Sequence, residues 1–158
     1  MTGYQLAQVN VGHIVAPLES PELADFVANL PEINALADGS PGFVWRMVDE
    51  GGADNTMLRP DSADRLLLLN CSVWESLAAL RAYVYQSAHL RVLSRRREWF
   101  VRHVEAHQAL WWVPAGHRPT VPEATARLAL LRELGPTQRA FTFREPFPAP
   151  SGEPAPTA

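Results

Sequence analysis

Residues 65–89 read Arg65-Leu-Leu-Leu-Leu-Asn-Cys-Ser-Val-Trp-Glu-Ser-Leu-Ala-Ala-Leu-Arg-Ala-Tyr-Val-Tyr-Gln-Ser-Ala-His89. The first part, Leu66 to Trp74, is mostly apolar and contains neither Gly nor Pro, which is typical of a central β-strand. After Trp74 the apolar residues Leu77, Leu80 and Val84 recur at steps of three and four, the period of one helix face. The stretch therefore predicts a buried strand that leads directly into an amphipathic helix.

The two faces of this strand differ in polarity. One face is wholly apolar, whereas the other carries Asn70 and Ser72 among apolar side chains. A buried amide or hydroxyl without a partner costs about 1–3 kcal/mol. Asn70 and Ser72 therefore either bond to neighbouring backbone or line a ligand cavity, and the sequence leaves both open. Cys71, the single cysteine, is interpreted as a buried structural thiol.

Composition limits the class of protein. The length of 158 residues predicts one domain, residues 1–147, and the Pro- and Ala-rich residues 148–158 predict a disordered tail. A net charge of −3 argues against a nucleic-acid partner. No apolar run approaches the roughly 20 residues of a membrane span, and the N-terminus lacks the pattern of a signal peptide. We therefore expect a cytoplasmic protein with no membrane partner.

The remaining segments supply the order of elements. A strand is predicted at Tyr4 to Val11, followed by a helix from Ser20-Pro21 that Pro31 interrupts. Further strands are predicted at Phe43 to Val48, with Phe43, Trp45 and Met47 on one face, and at His107 to Val113. Thr120 caps a last helix, which ends at Gly135-Pro136. This order predicts an α+β, ferredoxin-like antiparallel sheet with helices on one face, plus a C-terminal helical extension.

Several stretches then resemble a known family. They are Ile33-Asn-Ala-Leu-Ala-Asp-Gly-Ser-Pro-Gly-Phe-Val-Trp-Arg46, Ser72-Val-Trp-Glu-Ser76, Tyr85-Gln-Ser-Ala-His89, Arg95-Arg-Arg-Glu-Trp-Phe100 and Leu110-Trp-Trp-Val-Pro-Ala-Gly-His117. Together they resemble a bacterial domain of unknown function, DUF3291, over residues 4 to 147. That family looks like a member of the dimeric α/β-barrel superfamily, which includes antibiotic-biosynthesis monooxygenases and haem-degrading monooxygenases.

The wider resemblance is carried by Val73-Trp74-Glu75, a helix, and then Ser87-Ala88-His89. Monooxygenases of the superfamily often show Trp-Glu, a helix and Ser-Pro-His, so Ala88 departs from their pattern and leaves activity open. The resemblance implies a homodimer, in which two sheets form a barrel and a pocket lies between each sheet and its helices. Cofactor-independent members hold a polyphenol near dioxygen with Asn, Trp, Tyr and His side chains. Haem-binding members use a helix His, which His89 resembles in position.

These considerations give a set of candidate site residues. His89 is the candidate catalytic residue, because an imidazole can transfer protons near neutral pH or bind a metal. The candidates for substrate binding are Asn10, Trp45, Arg46, Asn70, Trp74 and Trp112. His103 and His107 have a spacing compatible with a metal pair, but they lack the zincin order, so we predict no metal site.

Three functions compete. The leading hypothesis is a homodimeric small-molecule enzyme, monooxygenase-like and without a tight cofactor, acting on an aromatic or polyketide-type compound in an apolar pocket. The second is a haem-binding protein with His89 as the iron ligand, and the third is a non-catalytic ligand-binding or interaction domain. The aromatics Phe43, Trp45, Trp111 and Trp112 exceed what one small sheet needs, which also favours a homodimer. Whether the protein is an enzyme is left open.

Overall fold

A computed structural model describes residues 3–47, 66–86, 90, 94–102 and 106–150. Within these ranges lie four strands, β1 (Tyr4–His13), β2 (Phe43–Arg46), β3 (Leu67–Trp74) and β4 (Gln108–Pro114). The helices are α1 (Ala24–Asp38), α2 (Leu77–Val84), α3 (Arg96–Trp99) and α4 (Val121–Leu134), and a short 3-10 helix (Pro21–Leu23) precedes α1. None of the helices in these ranges combines the length and apolar character that crossing a bilayer needs.

The four strands form one antiparallel sheet in the order β2-β3-β1-β4. The two central strands are β1 and β3, which explains why the apolar stretch before Trp74 contains no Gly or Pro. In the β1–β3 ladder Asn10 lies opposite Asn70 and Gln8 opposite Ser72, so four polar side chains share one patch of the sheet. The strand order confirms the predicted ferredoxin-like α+β fold.

One face of the sheet packs against α4. Its core contains Ala7 and Val9 of β1, Cys71 of β3 and Trp111 of β4, all without solvent exposure. From α4, Ala124, Leu128 and Leu131 complete this core. Burial raises the pKa of Cys71 to about 12, with a smaller contribution from Glu123, so the thiol stays protonated and the interpretation as a structural thiol is confirmed.

Helix α4 of the C-terminal extension thus covers the sheet face opposite α1 and α2. Thr120 begins α4 as predicted, because its Oγ1 accepts a hydrogen bond from the N–H of Glu123 at 3.3 Å. Trp111 is fully buried within one chain, and its Nε1 donates to Glu123 at 3.2 Å. The strand aromatics therefore find partners without a second copy, and the homodimer stays a prediction that the superfamily resemblance carries.

Strand β2 differs from the predicted alternation. The register shifts between Phe43 and Trp45, where Phe43 pairs with Trp74 and Trp45 pairs with Val73. This β-bulge adds one residue to β2, so the residues after it point to the opposite sheet face from the one that simple alternation predicts. The prediction that Phe43, Trp45 and Met47 share one face was wrong. Phe43 packs against Trp74 on the side of α2, whereas Trp45 and Met47 pack with the core beneath α4.

Helix α1 also differs from the predicted pattern. It runs through Pro31 without a break, although proline removes one backbone donor and was expected to interrupt the helix. Phe26 lies before the proline, and Asn34 and Ala37 lie after it, yet all three are buried. Packing on both sides of Pro31 therefore outweighs the lost hydrogen bond and keeps one continuous helix in place.

An arm follows α4 and returns to the sheet. Phe141 is fully buried and exchanges two backbone hydrogen bonds with Leu110, at 2.8 and 2.9 Å, so it extends the sheet beyond β4. Trp112 Nε1 donates to the carbonyl of Phe147 at 2.8 Å. The arm therefore contacts the sheet as far as Phe147, and residues 151–158 of the predicted tail lie outside the described residues.

Candidate functional site

A cavity of about 300 Å³ lies between the sheet face opposite α4 and helices α1 and α2. Its floor comes from β1 and β3, because the polar patch of the sheet faces these helices. Its walls are largely aromatic and aliphatic, and Phe26, Trp74 and Trp99 are among them. A volume of this size, with apolar walls and a few polar groups, suits a small organic ligand.

The floor is a connected hydrogen-bond network. Gln8 Nε2 donates to Asn70 Oδ1 at 2.7 Å and to Ser72 Oγ at 2.8 Å. Asn10 Nδ2 donates to Gln8 Oε1 at 3.1 Å and to Asn70 Oδ1 at 3.2 Å. Trp74 Nε1 donates to Ser72 Oγ at 2.9 Å. The sequence left open whether Asn70 and Ser72 bond to neighbouring groups or line a ligand cavity. They do both, because each accepts a hydrogen bond from Gln8 and each lines the cavity.

Within this network, the hydroxyl of Ser72 is positioned to donate a hydrogen bond. An indole N–H can only donate, so Trp74 must fill one lone pair of Ser72 Oγ. The amide of Gln8 fills the second. A hydroxyl has two lone pairs and one hydrogen, so the hydrogen of Ser72 is directed away from both partners. Since Ser72 lines the cavity, its O–H can serve an oxygen atom of a ligand there.

Trp74 and Tyr83 form a stacked wall. Their ring centroids are 5.1 Å apart and their planes differ by 26°. Tyr83 lies one helical turn after Leu80 on α2, which places both side chains over the sheet. The pKa of Tyr83 is raised to about 12, chiefly by burial and also by the charge of Asp38, while Arg46 opposes the rise. Tyr83 is therefore a neutral phenol, and the stack presents a flat surface with a hydroxyl.

Arg46 brings a positive charge to the cavity. Its side chain is 12% exposed, and its Nε and Nη2 donate to the carboxylate of Asp38 at 2.8 and 3.3 Å. Asp38 ends α1, and its side chain is 46% exposed. The pair therefore holds the guanidinium against the cavity while its counter-ion stays in contact with solvent. Arg46 also lies opposite Ser72 in the ladder between β2 and β3.

The other end of the cavity is closed by aromatic rings. Phe26 of α1 contacts Trp99 and Phe100, with ring centroids 5.4 and 5.2 Å apart. The ring of Phe100 lies directly on β1 at Gly12, where an added Cβ would come within 2.6 Å of two ring carbons. Gly12 is thus required for the close approach of a ring to the strand rather than for a turn.

His107 is the imidazole in the described lining of the cavity. It precedes β4, and its carbonyl accepts a hydrogen bond from the N–H of Val11 at 2.9 Å. His107 is half-buried and belongs to the lining of the cavity, one residue before Gln108, which pairs with Asn10. Within the described ranges, no group of three or more His, Cys, Asp or Glu side chains is arranged to hold a metal ion.

The structure brings together four of the seven predicted site residues. Asn10, Arg46, Asn70 and Trp74 all line the cavity. Trp45 and Trp112 do not, because the bulge in β2 turns Trp45 toward the α4 side and Trp112 packs against the arm. His89 and His103 lie outside the described residues.

Sequence reasoning missed three residues that the cavity uses, Gln8, Tyr83 and His107. The pattern for Gln8 was available, since Gln8 and Asn10 are polar positions on one face of β1, as Asn70 and Ser72 are on β3. Tyr83 was overlooked because the helical stripe was drawn through apolar residues alone. His107 was considered only as a partner of His103, not as a single side chain at the start of a strand.

The family model for the domain of unknown function DUF3291 matches residues 5–157, nearly the whole chain. The chain is a member of the DUF3291 family. This finding confirms the resemblance seen in the sequence. No curated protein sequence matches the chain significantly.

Solved structures similar to this DUF3291 protein include PA3566 from Pseudomonas aeruginosa, with a TM-score of 0.50, 13% identity, and coverage of 76% of this chain and 99% of that one. SnoaB, a cofactor-independent oxygenase from Streptomyces nogalater, gives a TM-score of 0.48, 21% identity, and coverage of 75% and 98%. A candidate antibiotic biosynthesis monooxygenase from Nitrosomonas europaea gives a TM-score of 0.49 and 9% identity, with coverage of 76% of this chain and 97% of that one. The likeness to PA3566 shows the shared fold.

Haem, the cofactor of the alternative hypothesis, needs an axial ligand in the cavity. His107 is the imidazole that the described lining offers, and His89 lies outside the described residues. The remaining described lining consists of aromatic and aliphatic side chains, neutral amides and hydroxyls, and the two arginines Arg46 and Arg96. The described donor set therefore suits an organic ligand with oxygen functions better than an iron centre, and haem ligation by His89 stays a prediction.

Proposed function

We propose that this DUF3291 protein binds a flat aromatic or polyketide-type molecule in the cavity above β1 and β3 and oxygenates it without a tight cofactor. The observation that carries the proposal is the polar floor of Gln8, Asn10, Asn70 and Ser72 beneath aromatic walls. Amides in a fixed network can orient the carbonyl or hydroxyl oxygen of a substrate while the walls exclude water.

The stacked pair of Trp74 and Tyr83 supports a flat substrate. A planar ring system can lie along this wall with offset stacking, which is the preferred arrangement of aromatic pairs. The hydroxyl of Ser72 and the amide of Asn70 then face the oxygen atoms at the edge of the ring system. Trp45 and Trp112, which lie elsewhere, take no part in this proposal.

The chemistry requires a base and an oxidisable carbon. A base removes a proton from a phenolic or benzylic position of the substrate, and the resulting anion transfers an electron to dioxygen. Recombination forms a carbon–oxygen bond, and loss of water leaves a carbonyl, so that a methylene and dioxygen become a carbonyl and water. We assign the base to His107, which lines the cavity, and keep His89 as the alternative.

The test uses 1,8-dihydroxyanthrone, a polyketide-type molecule with an acidic methylene, and dioxygen labelled with oxygen-18. We expect catalytic conversion to the anthraquinone, with one labelled oxygen atom in each product molecule and activity that survives dialysis against a metal chelator. Protein denatured by heat serves as the control for spontaneous oxidation of the anthrone.

Two results would contradict the proposal. Binding of the anthrone with no rate above the control would favour a non-catalytic ligand-binding domain. Activity that appears only after haem is added, with a shifted absorption band that His89→Ala removes, would favour the haem-binding alternative.

A further inference from the structure

We infer that the ligand of this cavity is an anion, an aromatic molecule with a carboxylate that Arg46 and Ser72 hold at the edge of the stack formed by Trp74 and Tyr83. The inference rests on the proposed function, since it names the class of molecule that the same cavity takes. Its first support is the sign of the charges around the cavity, and its second is the geometry of Arg46.

The described lining of the cavity carries charge of one sign only. Arg46 and Arg96 are its charged side chains, His107 adds an imidazole, and no Asp or Glu belongs to the described lining. This arrangement runs against the composition, because the chain has 17 acidic residues, 14 basic residues and a net charge of −3. A cavity that gathers cationic groups in an acidic protein attracts anions, and its low-dielectric walls strengthen that attraction.

Arg46 is held in place before a ligand arrives. Two of its donors already bind Asp38, at 2.8 and 3.3 Å, which fixes the plane of the guanidinium. A guanidinium has five N–H donors, so it can serve Asp38 and a ligand carboxylate together. Asp38 does not line the cavity and is half-exposed, so solvent screens its charge more than it screens that of Arg46, whose side chain is 12% exposed.

Ser72 supplies a second donor at the same place. It lies opposite Arg46 in the ladder, and opposite residues on one face have Cβ atoms about 4.5–5.5 Å apart. Both lone pairs of Ser72 Oγ accept hydrogen bonds, so its O–H is left to donate. A planar guanidinium beside a hydroxyl donor matches the two oxygen atoms of a carboxylate better than a single hydroxyl of a ligand.

The adjoining stack explains why the anion should be aromatic. Trp74 Nε1 donates to Ser72 Oγ, and the ring of Trp74 stacks on Tyr83. The flat aromatic wall is therefore adjacent to the hydroxyl of Ser72. Tyr83 and Arg46 line the same cavity. A ring system along this wall can therefore direct a carboxylate toward Arg46.

The test compares 2-naphthoate with 2-naphthamide, which share a ring system and nearly the same shape but differ in charge. We expect calorimetry on the wild-type protein to show that the carboxylate binds about 10- to 100-fold more tightly than the amide, as one charge-assisted contact provides. Arg46→Gln should bring the affinity for the carboxylate close to that for the amide, whereas Arg46→Lys should retain part of the preference. Arg118→Gln, in an exposed loop outside the cavity, is the matched control.

The outcomes separate this inference from the proposed function. Equal affinity for the two molecules would overturn the anionic ligand and leave an aromatic pocket in place. Failure of both molecules to bind would overturn the aromatic ligand and this inference together. The comparison on wild-type protein needs no variant, so it stays decisive even if Arg46→Gln is poorly folded.

Discussion

Replacement of Trp111 by Ala should lower the free energy of unfolding by about 3–5 kcal/mol, the usual cost of removing a fully buried large aromatic side chain. Trp111 has no solvent exposure, its Nε1 donates to Glu123, and Arg127 of α4 lies 6.0 Å from the centre of its ring. The substitution therefore removes contacts between the sheet and α4 as well as core volume. Chemical denaturation of wild-type and variant protein measures the difference.

Leu134→Ala is the control on the same helix. Leu134 is 57% exposed, so its truncation should change the free energy of unfolding by no more than about 0.5 kcal/mol. One chain buries Trp111 completely, so the loss in the Trp111→Ala variant should not depend on protein concentration. A loss that grows on dilution, together with a dimer mass by light scattering, would show that a second copy stabilises this face.

Replacement of His107 by Ala should lower kcat/KM for the anthrone by about 10²–10⁴-fold, the usual contribution of a general base. His107 lines the cavity, whereas His117 bonds to Glu123 at 2.7 Å on the α4 side and serves as the matched control. The loss should shrink as the pH rises, because the substrate then ionises without a protein base. That recovery would separate a missing base from a damaged fold.

His89→Ala belongs in the same measurement, because His89 was the catalytic residue that the sequence predicted. We expect a smaller loss than for His107→Ala. The reverse order, with a loss of more than about 100-fold for His89→Ala and little change for His107→Ala, would show that His89 is the base and that our assignment is wrong.

The fold followed from the sequence where local patterns and burial agree. The apolar run from Leu66 to Trp74 predicted a central strand, and Thr120 predicted the start of α4. The bulge in β2 and the continuous helix through Pro31 were not predictable, because tertiary packing decides both. The bulge matters most for the site, since it turns Trp45 away from the cavity while Arg46 lines it.

The sequence predicted the chemical character of the candidate site, but only some of the residues that form it. Asn10 and Asn70 were found because an amide on a buried strand face needs a reason to be there. Gln8 shares the polar face of β1 with Asn10, which the sequence pattern contains, but only the strand register shows that it lies opposite Ser72. Arg46 gains its role from Asp38, a residue at the end of another element.

The most direct measurement is to locate the ligand by nuclear magnetic resonance. Protein labelled with nitrogen-15 is titrated with 1,8-dihydroxyanthrone under argon, so that no oxidation occurs. We expect the side-chain amide signals of Gln8, Asn10 and Asn70 and the indole signal of Trp74 to shift together with one affinity, because these groups form one network. The indole signal of Trp111, which lies beneath α4, should stay in place. Shifts confined to Trp111 or to the exposed surface, or no shifts at saturating ligand, would contradict a ligand site above β1 and β3.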